Sequence, residues 1–367
     1  MIKVLFITHD VSIYGASRSL QTLLNNYDNE NVQVDLAVNK KIVGKQDKAD
    51  IGRRFNVPEE SIVEFYLPFS LCWSGQPALP FQVKIKNMLS RLTRSALNNF
   101  IKKENYDAVY LNSLVLHTLV TKEVKFITHV REVFDRTHHD VIRNLKKAKG
   151  IIYIDQSTHD AFAGELVEHS IILNNPFDMR RVQQASSPDV PAERTARTVF
   201  SIIGQVQEGK GTLFIIQSFI QSTENTNGTL LIVGGGDEDY TRRCKQEAAG
   251  RSNIIFYGEE SSIEKIYKIS DYIIRGESFP CIGRTVYEGL YSGCDVIIPG
   301  SKADNTLGIE SFFLDSVHFY EPRNIVALAK IFDRCMGNKI TKRTYTSNVN
   351  EYVGKFHSFL MACLTTQ

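Results

Sequence analysis

The sequence has few cysteines, and none stands in a pattern that marks a metal site or a redox centre. Six cysteines occur in 367 residues, without a Cys-x-x-Cys pair and without the His/Cys spacing of a zinc site. Most stand in apolar surroundings, which predicts free thiols in a reducing compartment. The six are Cys72, Cys244, Cys281, Cys294, Cys335 and Cys363.

Long apolar runs and a strong charge of one sign are also absent. No apolar run approaches the roughly 20 residues needed to span a bilayer. The chain starts with an apolar strand pattern at residues 2–8, without signal-peptide architecture. The formal net charge of +2 excludes a globally polybasic nucleic-acid binder, although not a local basic patch. We therefore expect a cytoplasmic protein that does not bind nucleic acid.

The length and the order of the predicted elements indicate two α/β domains. A chain of 367 residues suits two domains of about 150–200 residues each, and its 43% hydrophobic and 23% charged content is ordinary for a globular protein. Apolar strands alternate with helical stretches in two series, separated at 183–196 by a segment rich in Ser, Pro, Ala and charge. Strands are predicted at 3–8, 32–38, 62–66, 108–111, 125–128 and 151–154, then at 199–203, 229–233, 254–257, 272–274, 296–298 and 317–320.

This alternation predicts parallel sheets with right-handed crossovers, twice over. Two doubly wound, Rossmann-like domains would place their ligand sites at the carboxyl ends of the strands, facing a shared central cleft. We place the first domain at 1–177, a linker at 178–197, the second domain at 198–345 and a tail at 346–367. The tail contains an amphipathic segment at 351–364, which predicts a helix.

The most informative stretch is 272–299. An apolar strand runs into a loop interrupted by Gly and Pro, and a helix follows with Glu288 near its start and Gly293 at its end, before a second apolar strand. The start of such a helix presents backbone N–H groups to an anion. A carboxylate one turn in can accept hydrogen bonds from sugar or ribose hydroxyls. The stretch predicts a nucleotide-sugar pocket; the alternative is a buried crossover without a ligand.

The same stretch resembles the donor-binding segment of the GT-B glycosyltransferases, specifically of the large retaining glycosyltransferase family 4. The family's pattern is a Glu, a Gly-rich loop and a second Glu before a small-residue helix, and Gly283-Arg284-Thr-Val-Tyr-Glu288 matches its second half. Pro280, eight positions before Glu288, stands where the family has its first Glu. Either the loop is three residues longer and the nearest acid, Glu277, takes that role, or the role is lost. The resemblance implies donor contacts from Glu277, Ile282, Gly283, Arg284, Thr285 and Glu288.

The loop at 204–212 carries the next donor motif. Gly204-Gln-Val-Gln-Glu-Gly-Lys-Gly-Thr is close to the P-loop pattern Gly-x4-Gly-Lys-[Ser/Thr]. It departs from that pattern at Gly211, which occupies the position of the Ser or Thr whose hydroxyl binds Mg²⁺. In family 4 the equivalent turn carries an Arg and, five residues later, a Lys that neutralise the donor diphosphate. Lys210 matches that Lys, whereas Gln205 replaces the Arg and removes a bidentate donor. The resemblance implies that Arg284 supplies the missing charge; the alternative for Lys210 is a plain surface lysine.

Two further glycine-containing turns resemble family segments. Gly15, Ala16 and Arg18, after the first strand, resemble the N-terminal Gly-Gly-Ala-Glu-Arg loop, which implies that Gly15 and Ala16 contact the donor and Arg18 the acceptor. Gly15 would let backbone approach a ligand, or it is a mere turn residue. Gly234, in Val233-Gly-Gly-Gly, resembles the family's Val-Gly-x-Gly turn and implies another donor contact. The acidic run at 237–239 that follows matches a metal-binding Asp-x-Asp pattern in residue type. It stands in a turn remote from the phosphate loop at 204–212, so no metal site is expected.

Polar residues that follow strands of the first domain predict its functional edge. His129 ends an apolar strand in His-Val-Arg-Glu, which resembles the family segment in which a His sits beside the transferring sugar. A structural His is the alternative. The resemblance assigns catalysis to His129, Lys210 and Glu288. Arg131 and Glu132 are predicted as acceptor or interdomain contacts, and Arg18 and Asn112, which follows another strand, are predicted on the acceptor side. For His138 and His139 an exposed helix start is expected instead, without a function.

Taken together, the resemblance implies a retaining, metal-independent glycosyltransferase that needs no cofactor and uses a nucleotide-diphosphate sugar as donor. It also implies that the helix of the tail at 346–367 crosses back onto the first domain. The acceptor would be a glycan or a lipid-linked glycan in surface polysaccharide biosynthesis. Residues 81–104 carry six basic side chains, a single acid and apolar residues at helical spacing, which predicts a basic amphipathic helix. The pattern predicts one of two roles for this helix. It binds an anionic membrane, here the inner face of the plasma membrane, or it packs on its own domain with its basic face in solvent.

Two other functions stay open. Gln205 and the altered spacing at Pro280 are also what a catalytically silent GT-B homologue, acting as a binding or regulatory subunit, would show. A hydrolysing sugar-nucleotide epimerase on the same fold would need carboxylates near His129 to move a proton, and the sequence offers Glu132 there.

Overall fold

The protein folds into two compact units. The first comprises Met1–Pro176 with Asn348–Gln367, and the second comprises Phe177–Ser347. The computed structural model describes residues 1–12, 15–27, 30–43, 47–67, 80–132, 139–162, 169–195, 197–279, 282–301 and 309–365, without the side chains of 42, 43, 80–87, 90, 91, 194 and 311.

The first unit is built on a parallel sheet of seven strands in the order β3-β2-β1-β4-β5-β6-β7. Its strands are β1 (Ile2–Thr8), β2 (Val32–Asn39), β3 (Ile62–Phe65), β4 (Ala108–Leu111), β5 (Phe126–Val130), β6 (Gly150–Tyr153) and β7 (Ser170–Ile172). The α-helices are α1 (Gly15–Asn26), α2 (Lys40–Val43), α3 (Lys48–Phe55), α4 (Pro80–Lys103), α5 (His139–Leu145) and α6 (Gln156–Asp160). Short 3₁₀ helices lie at Glu59–Ser61 and Leu114–Leu119.

The second unit contains a parallel sheet of six strands in the order β10-β9-β8-β11-β12-β13. Its strands are β8 (Thr198–Ile203), β9 (Gly228–Val233), β10 (Ile254–Gly258), β11 (Tyr272–Ile274), β12 (Asp295–Pro299) and β13 (Val317–Tyr320). The α-helices are α7 (Met179–Gln184), α8 (Ala192–Thr195), α9 (Thr212–Gln221), α10 (Glu238–Glu247), α11 (Glu264–Ile269), α12 (Arg284–Tyr291) and α13 (Ile325–Cys335). Glu208–Lys210, Asn225–Asn227 and Ser311–Ser316 form 3₁₀ helices.

The last helix, α14 (Val349–Thr365), belongs to the first unit. Its buried side chains Tyr352, Phe356, Leu360 and Cys363 pack into the same apolar cluster as residues of β1, β2 and α1. The phenyl ring of Phe356 makes an edge-to-face contact with the ring of Tyr110, at 5.4 Å between centroids. The amphipathic pattern at 351–364 is therefore the face that this helix buries.

Burial explains why these segments form strands. Every residue of β4, β5, β8 and β9 is buried, as expected for parallel strands covered on both faces by helices. Polar side chains define several helix starts: Asp237 accepts a hydrogen bond from the Tyr240 N–H at the start of α10, and Asn324 accepts one from the Ala327 N–H at the start of α13. The predicted class, two parallel-sheet α/β domains, is confirmed.

Some elements differ from the sequence prediction. All twelve predicted strands are present with ends shifted by at most two residues, but β7 at the edge of the first sheet was not predicted. The segment predicted as a linker contains α7 and α8, and Val182 of α7 is buried in the core of the second unit. Across the described parts of the chain, no helix is long and apolar enough to cross a membrane.

Candidate functional site

The carboxyl edge of the second sheet is formed by loops that touch backbone to backbone. Strand β8 pairs with β9 up to Ile203 and Val233, so Gly204 and Gly234 leave the sheet side by side. Gly234 has φ +140°, and a Cβ built on it would overlap the carbonyl oxygen of Gly204. On the other side of β8, Gly211 has φ +66°, and its Cβ would overlap the carbonyl oxygen of Gly276, just after β11. The near-P-loop glycines therefore allow three loops to pack together at this edge.

Lys210, Arg275 and Glu277 meet where these loops pack. The Lys210 Nζ lies 3.3 Å from Glu277 Oε1. The Arg275 guanidinium binds both carboxylate oxygens of Glu277, with Nε donating to Oε2 at 3.1 Å. Burial alone would raise the pKa of Glu277, but the charges of Arg275 and Lys210 outweigh it and hold that pKa below its usual value. Two cations thus share one buried carboxylate, and the cluster carries a net positive charge.

Helix α12 begins beside this cluster. Its N-cap residue is Gly283, which has no side chain that could cap the first turn. Thr285, in that turn, accepts a hydrogen bond from the Arg275 guanidinium at 3.0 Å. An uncapped helix start leaves backbone N–H groups for an anion, and the two cations next to it add to the positive potential. The start of α12 can therefore accept a negatively charged group.

Glu288 lies one turn into α12 and is only 1% exposed. Its Oε2 accepts a hydrogen bond from the hydroxyl of Tyr267 at 2.7 Å, and its Oε1 accepts one from the Nε of Arg284 at 2.6 Å. The sequence hypothesis gave Arg284 to the donor diphosphate, whereas the structure pairs its guanidinium with Glu288. The carboxylate is consequently fixed from two sides.

The other predicted donor residues differ in their surroundings. Ile282 is buried in the apolar core of the second unit, and a Cβ on Gly283 would overlap the Arg275 guanidinium. Gln205 is exposed in the loop after β8. Pro280 lies outside the described residues.

A cavity of about 660 Å³ lies beside the glycines at the end of β9. It is lined by Gly234, Gly235, Gly236 and one face of α10, including Arg242 and Lys245. The acidic run next to it has structural contacts, because Asp237 caps α10 and Asp239 forms an ion pair with Arg242 at 2.6 Å. Within the described residues, no group of three His, Cys, Asp or Glu side chains could hold a metal ion.

In the first unit, Arg131 connects several polar groups at the carboxyl edge of the sheet. Its Nε donates to the backbone and side-chain oxygens of Asn112 at 3.2 Å, and its NH1 donates to Asn175 Oδ1 at 2.9 Å. Asn112 in turn donates from Nδ2 to the Ala16 carbonyl at 3.0 Å. Gly15 starts α1 with φ +51°, and a Cβ there would meet open space. Four predicted residues, Gly15, Ala16, Asn112 and Arg131, are thus brought together.

His129 lies under this network and is fully buried in β5. Its Nδ1 is 2.7 Å from the hydroxyl of Tyr110 and 3.2 Å from the NH2 of Arg131. Because an arginine can only donate, we assign Nδ1 as the acceptor and the proton to Nε2. Among the described residues, Nε2 has no hydrogen-bond partner. Burial and the charge of Arg131 hold the pKa of His129 well below 6.5, so the ring is neutral at neutral pH.

Glu132 and Arg18, both predicted on the acceptor side, are held within the first unit. Glu132 accepts hydrogen bonds from the Leu114 N–H at 3.0 Å and from the Ser113 hydroxyl, at the start of the 3₁₀ helix. That contact gives Glu132 a structural role. Arg18 is 7% exposed on α1. His138 lies outside the described residues, and His139 is exposed at the start of α5.

The structure adds Arg275 and Tyr267, which the sequence did not single out. Arg275 directly follows β11, and a charged residue at the carboxyl end of a parallel strand is a signal that could have indicated it. Tyr267 stands in α11, 21 residues before Glu288, and no motif connects the two. Only the fold brings that hydroxyl to the carboxylate.

No protein-family model and no curated protein matches this sequence. Solved structures do match over nearly the whole chain. HepE of Anabaena in complex with UDP and glucose has a TM-score of 0.73 at 17% identity, covering 99% of this chain and 100% of HepE. A glycosyltransferase from Rickettsia africae has a TM-score of 0.67 at 16% identity, covering 100% of this chain and 99% of its own. The lipopolysaccharide outer core galactosyltransferase WaaB has a TM-score of 0.65 at 14% identity, covering 98% and 99%. These neighbours are GT-B glycosyltransferases, and the chain has the GT-B fold.

Proposed function

We propose that the protein is a glycosyltransferase that moves a sugar from a nucleotide-diphosphate sugar to a glycan or a lipid-linked glycan. The observation that carries this proposal is the cationic cluster of Lys210, Arg275 and Glu277 beside the uncapped start of α12, one turn before buried Glu288. HepE, which shares the fold, binds UDP and glucose and also UDP-glucose. A diphosphate next to a sugar is the ligand that such a cluster suits.

In the proposed reaction the bond from the anomeric carbon of the donor sugar to the diphosphate oxygen breaks, and its electron pair stays on the diphosphate. Lys210 and the N–H groups of α12 stabilise the charge that develops there, the type of contact that usually contributes most to such a reaction. The acceptor hydroxyl then bonds to the anomeric carbon with retention of configuration, and its proton passes to the departing diphosphate. We assign the ribose hydroxyls to Glu288 and the base-proximal turn to Gly234.

The neutral state of His129 restricts its role in this scheme. A ring with a strongly lowered pKa is a poor proton carrier at neutral pH, but its Nε2–H can donate a hydrogen bond. We propose that His129 donates to a sugar hydroxyl without exchanging a proton. Arg131 would keep the proton on Nε2 through its own contact with Nδ1.

We further propose a family 4-like, metal-independent enzyme of surface polysaccharide synthesis that contacts an anionic membrane, at the inner face of the plasma membrane, through α4. This helix is 24 residues long and carries the basic residues of its sequence pattern. Met88 and Leu92 are 58% and 65% exposed, whereas Leu97 and Ile101 are buried in the first unit. The last turns of α4 thus pack on its own domain, and an apolar pair near the middle of the helix is exposed for a surface.

A silent GT-B homologue is the second candidate, because exposed Gln205 leaves the loop after β8 without the family's arginine. A panel of nucleotide sugars, assayed for nucleotide release with and without glycan acceptors, separates the two candidates. The proposed enzyme releases nucleotide from at least one donor and does so faster with an acceptor. Binding without turnover of any donor would support the silent homologue. Inversion of a donor's hydroxyl together with nucleotide release would indicate an epimerase instead.

A further inference from the structure

The loop between β11 and α12 is long for the motif that it resembles. Eleven positions separate Glu277 from Glu288, whereas the resembled pattern has eight between its two acids. Extra residues in a loop increase the conformational entropy that must be lost when the loop is ordered. A longer loop therefore needs its own contacts to hold Glu277 in one place.

Arg275 supplies such contacts at both ends of the loop. At the start of the loop, its guanidinium forms two parallel bonds to Glu277. At the end of the loop, the same group donates to the Thr285 hydroxyl at 3.0 Å and packs against Gly283, where a Cβ would overlap it. One side chain thus connects the two ends of the loop.

Arg275 is itself held rigidly. Its side chain is 12% exposed, its N–H donates to the Ile297 carbonyl at 3.0 Å, and its carbonyl accepts from the Tyr320 hydroxyl at 2.6 Å. The planar guanidinium can bind a carboxylate in two places and a hydroxyl in a third. A lysine keeps the charge but cannot make this set of contacts, because its single ammonium is a point charge.

We propose that Arg275 is a positioning residue that connects the two ends of the long β11–α12 loop and fixes Glu277 beside Lys210. Because a carboxylate repels a diphosphate and accepts hydrogen bonds from sugar hydroxyls, the proposal places the sugar part of the donor at Glu277. This inference rests on the proposed function. It assigns Arg275 to the geometry of Glu277 and not to direct neutralisation of the diphosphate, which stays with Lys210 and the start of α12. A nucleoside diphosphate would then depend little on Arg275, whereas a nucleotide sugar would depend on it strongly.

The test compares Arg275→Lys, Arg275→Gln and Glu277→Gln with wild type. Calorimetry measures the affinity for UDP, GDP and ADP, and for the nucleotide sugar that wild type releases fastest. We expect affinity for the best nucleoside diphosphate to change by about twofold at most in Arg275→Lys, which keeps the positive charge beside α12, and affinity for the nucleotide sugar to fall about tenfold in all three variants. The double variant with Arg275→Gln and Glu277→Gln should lose no more than either single variant. Arg334→Lys, at an exposed position on α13, serves as the matched control.

Three results would overturn the proposal. Wild-type behaviour of Arg275→Lys would show that charge suffices. An equal loss for nucleoside diphosphate and nucleotide sugar would make Arg275 a diphosphate ligand. Additive effects of Arg275→Gln and Glu277→Gln would separate the two side chains. If wild type binds no nucleotide, the proposed function fails, and hydrogen exchange of the backbone amides at 276–279 and 282–285 still decides whether Arg275 holds the ends of the loop. That exchange should speed up in Arg275→Gln but not in Lys210→Ala, and unchanged exchange would refute this role.

Discussion

Removal of Lys210 should abolish most activity while leaving the fold almost as stable as before. The side chain is 40% exposed, and its ion pair with Glu277 at 3.3 Å is longer than the bonds that Arg275 makes to the same carboxylate. Because the Lys210 end of this pair is open to solvent, and Glu277 keeps its contact with Arg275, the pair contributes about 0–1 kcal/mol to stability. Arg275 keeps both of its bonds to Glu277 when Lys210 is gone, so no buried charge is left alone. We therefore expect Lys210→Ala to unfold within about 1 kcal/mol of wild type.

The effect on turnover should be much larger. If Lys210 contacts the departing diphosphate, its charge matters most as the transition state is reached, and one such contact is worth roughly 3 kcal/mol. That figure corresponds to a loss of kcat/KM of on the order of 10²-fold. A lysine that merely decorates the surface would produce neither a large kinetic effect nor a large effect on stability.

The assay is nucleotide release from the preferred donor, measured together with a thermal melt of the same preparation. Lys330→Ala is the matched control, because Lys330 is an exposed lysine on α13 of the same unit. We expect the control to keep both activity and stability. The reasoning would be refuted if Lys210→Ala retained near wild-type kcat/KM, or if its activity loss were matched by a large drop in melting temperature.

Three further predictions concern the rest of the account. Arg284→Ala should destabilise the protein by about 3 kcal/mol, because it removes the ion partner of the buried Glu288 carboxylate. Urea unfolding of Arg284→Ala and of the double variant Arg284→Ala/Glu288→Gln tests this, since the double variant should recover part of the loss. The pKa of His129 in the folded protein lies well below 6.5, so as the pH falls below about 6.5 the unfolded chain takes up a proton before the folded protein does. The free energy of unfolding should therefore decline from that pH down to the folded pKa. Thermal melts at pH 7.5 and 5.5 should show a smaller decline in His129→Gln than in wild type, and an equal decline would contradict the buried neutral ring. Wild type should sediment with anionic vesicles at low salt and be released at high salt. Charge reversal of four basic residues of α4, each worth about 1 kcal/mol of membrane binding, should also release it; the four are Lys84, Lys86, Arg91 and Arg94. If wild type fails to sediment even at low salt, the membrane proposal is refuted.

The strands of both sheets could be predicted because they are short apolar runs that are buried on two faces. That pattern is visible without knowing the neighbours of each strand. Strand β7 (Ser170–Ile172) could not be predicted this way, since it has three residues and lies at the sheet edge, with Ser170 and Ile172 exposed. At such a position the backbone pairing with β6, rather than a buried apolar pattern, defines the strand.

For the candidate site, the sequence indicated the loops but not the partners of the side chains. Lys210 and Glu277 are both notable in the sequence, yet they are 67 positions apart, and only the neighbouring positions of β8 and β11 bring them together. The contact between Arg284 and Glu288 was not predicted either, although both residues were singled out. A basic residue four positions before an acidic one on the same helix readily forms an ion pair with it. Here the Arg284 guanidinium forms that local ion pair with Glu288.

The most direct test of the account is a crystal structure with the tightest-binding nucleoside diphosphate of UDP, GDP and ADP. The account predicts phosphate oxygens within hydrogen-bond distance of Lys210 Nζ and of the backbone N–H groups at the start of α12, with a ribose hydroxyl on Glu288. A nucleotide in the cavity beside α10, with its phosphates on Arg242 or Lys245 and none on Lys210, would contradict it.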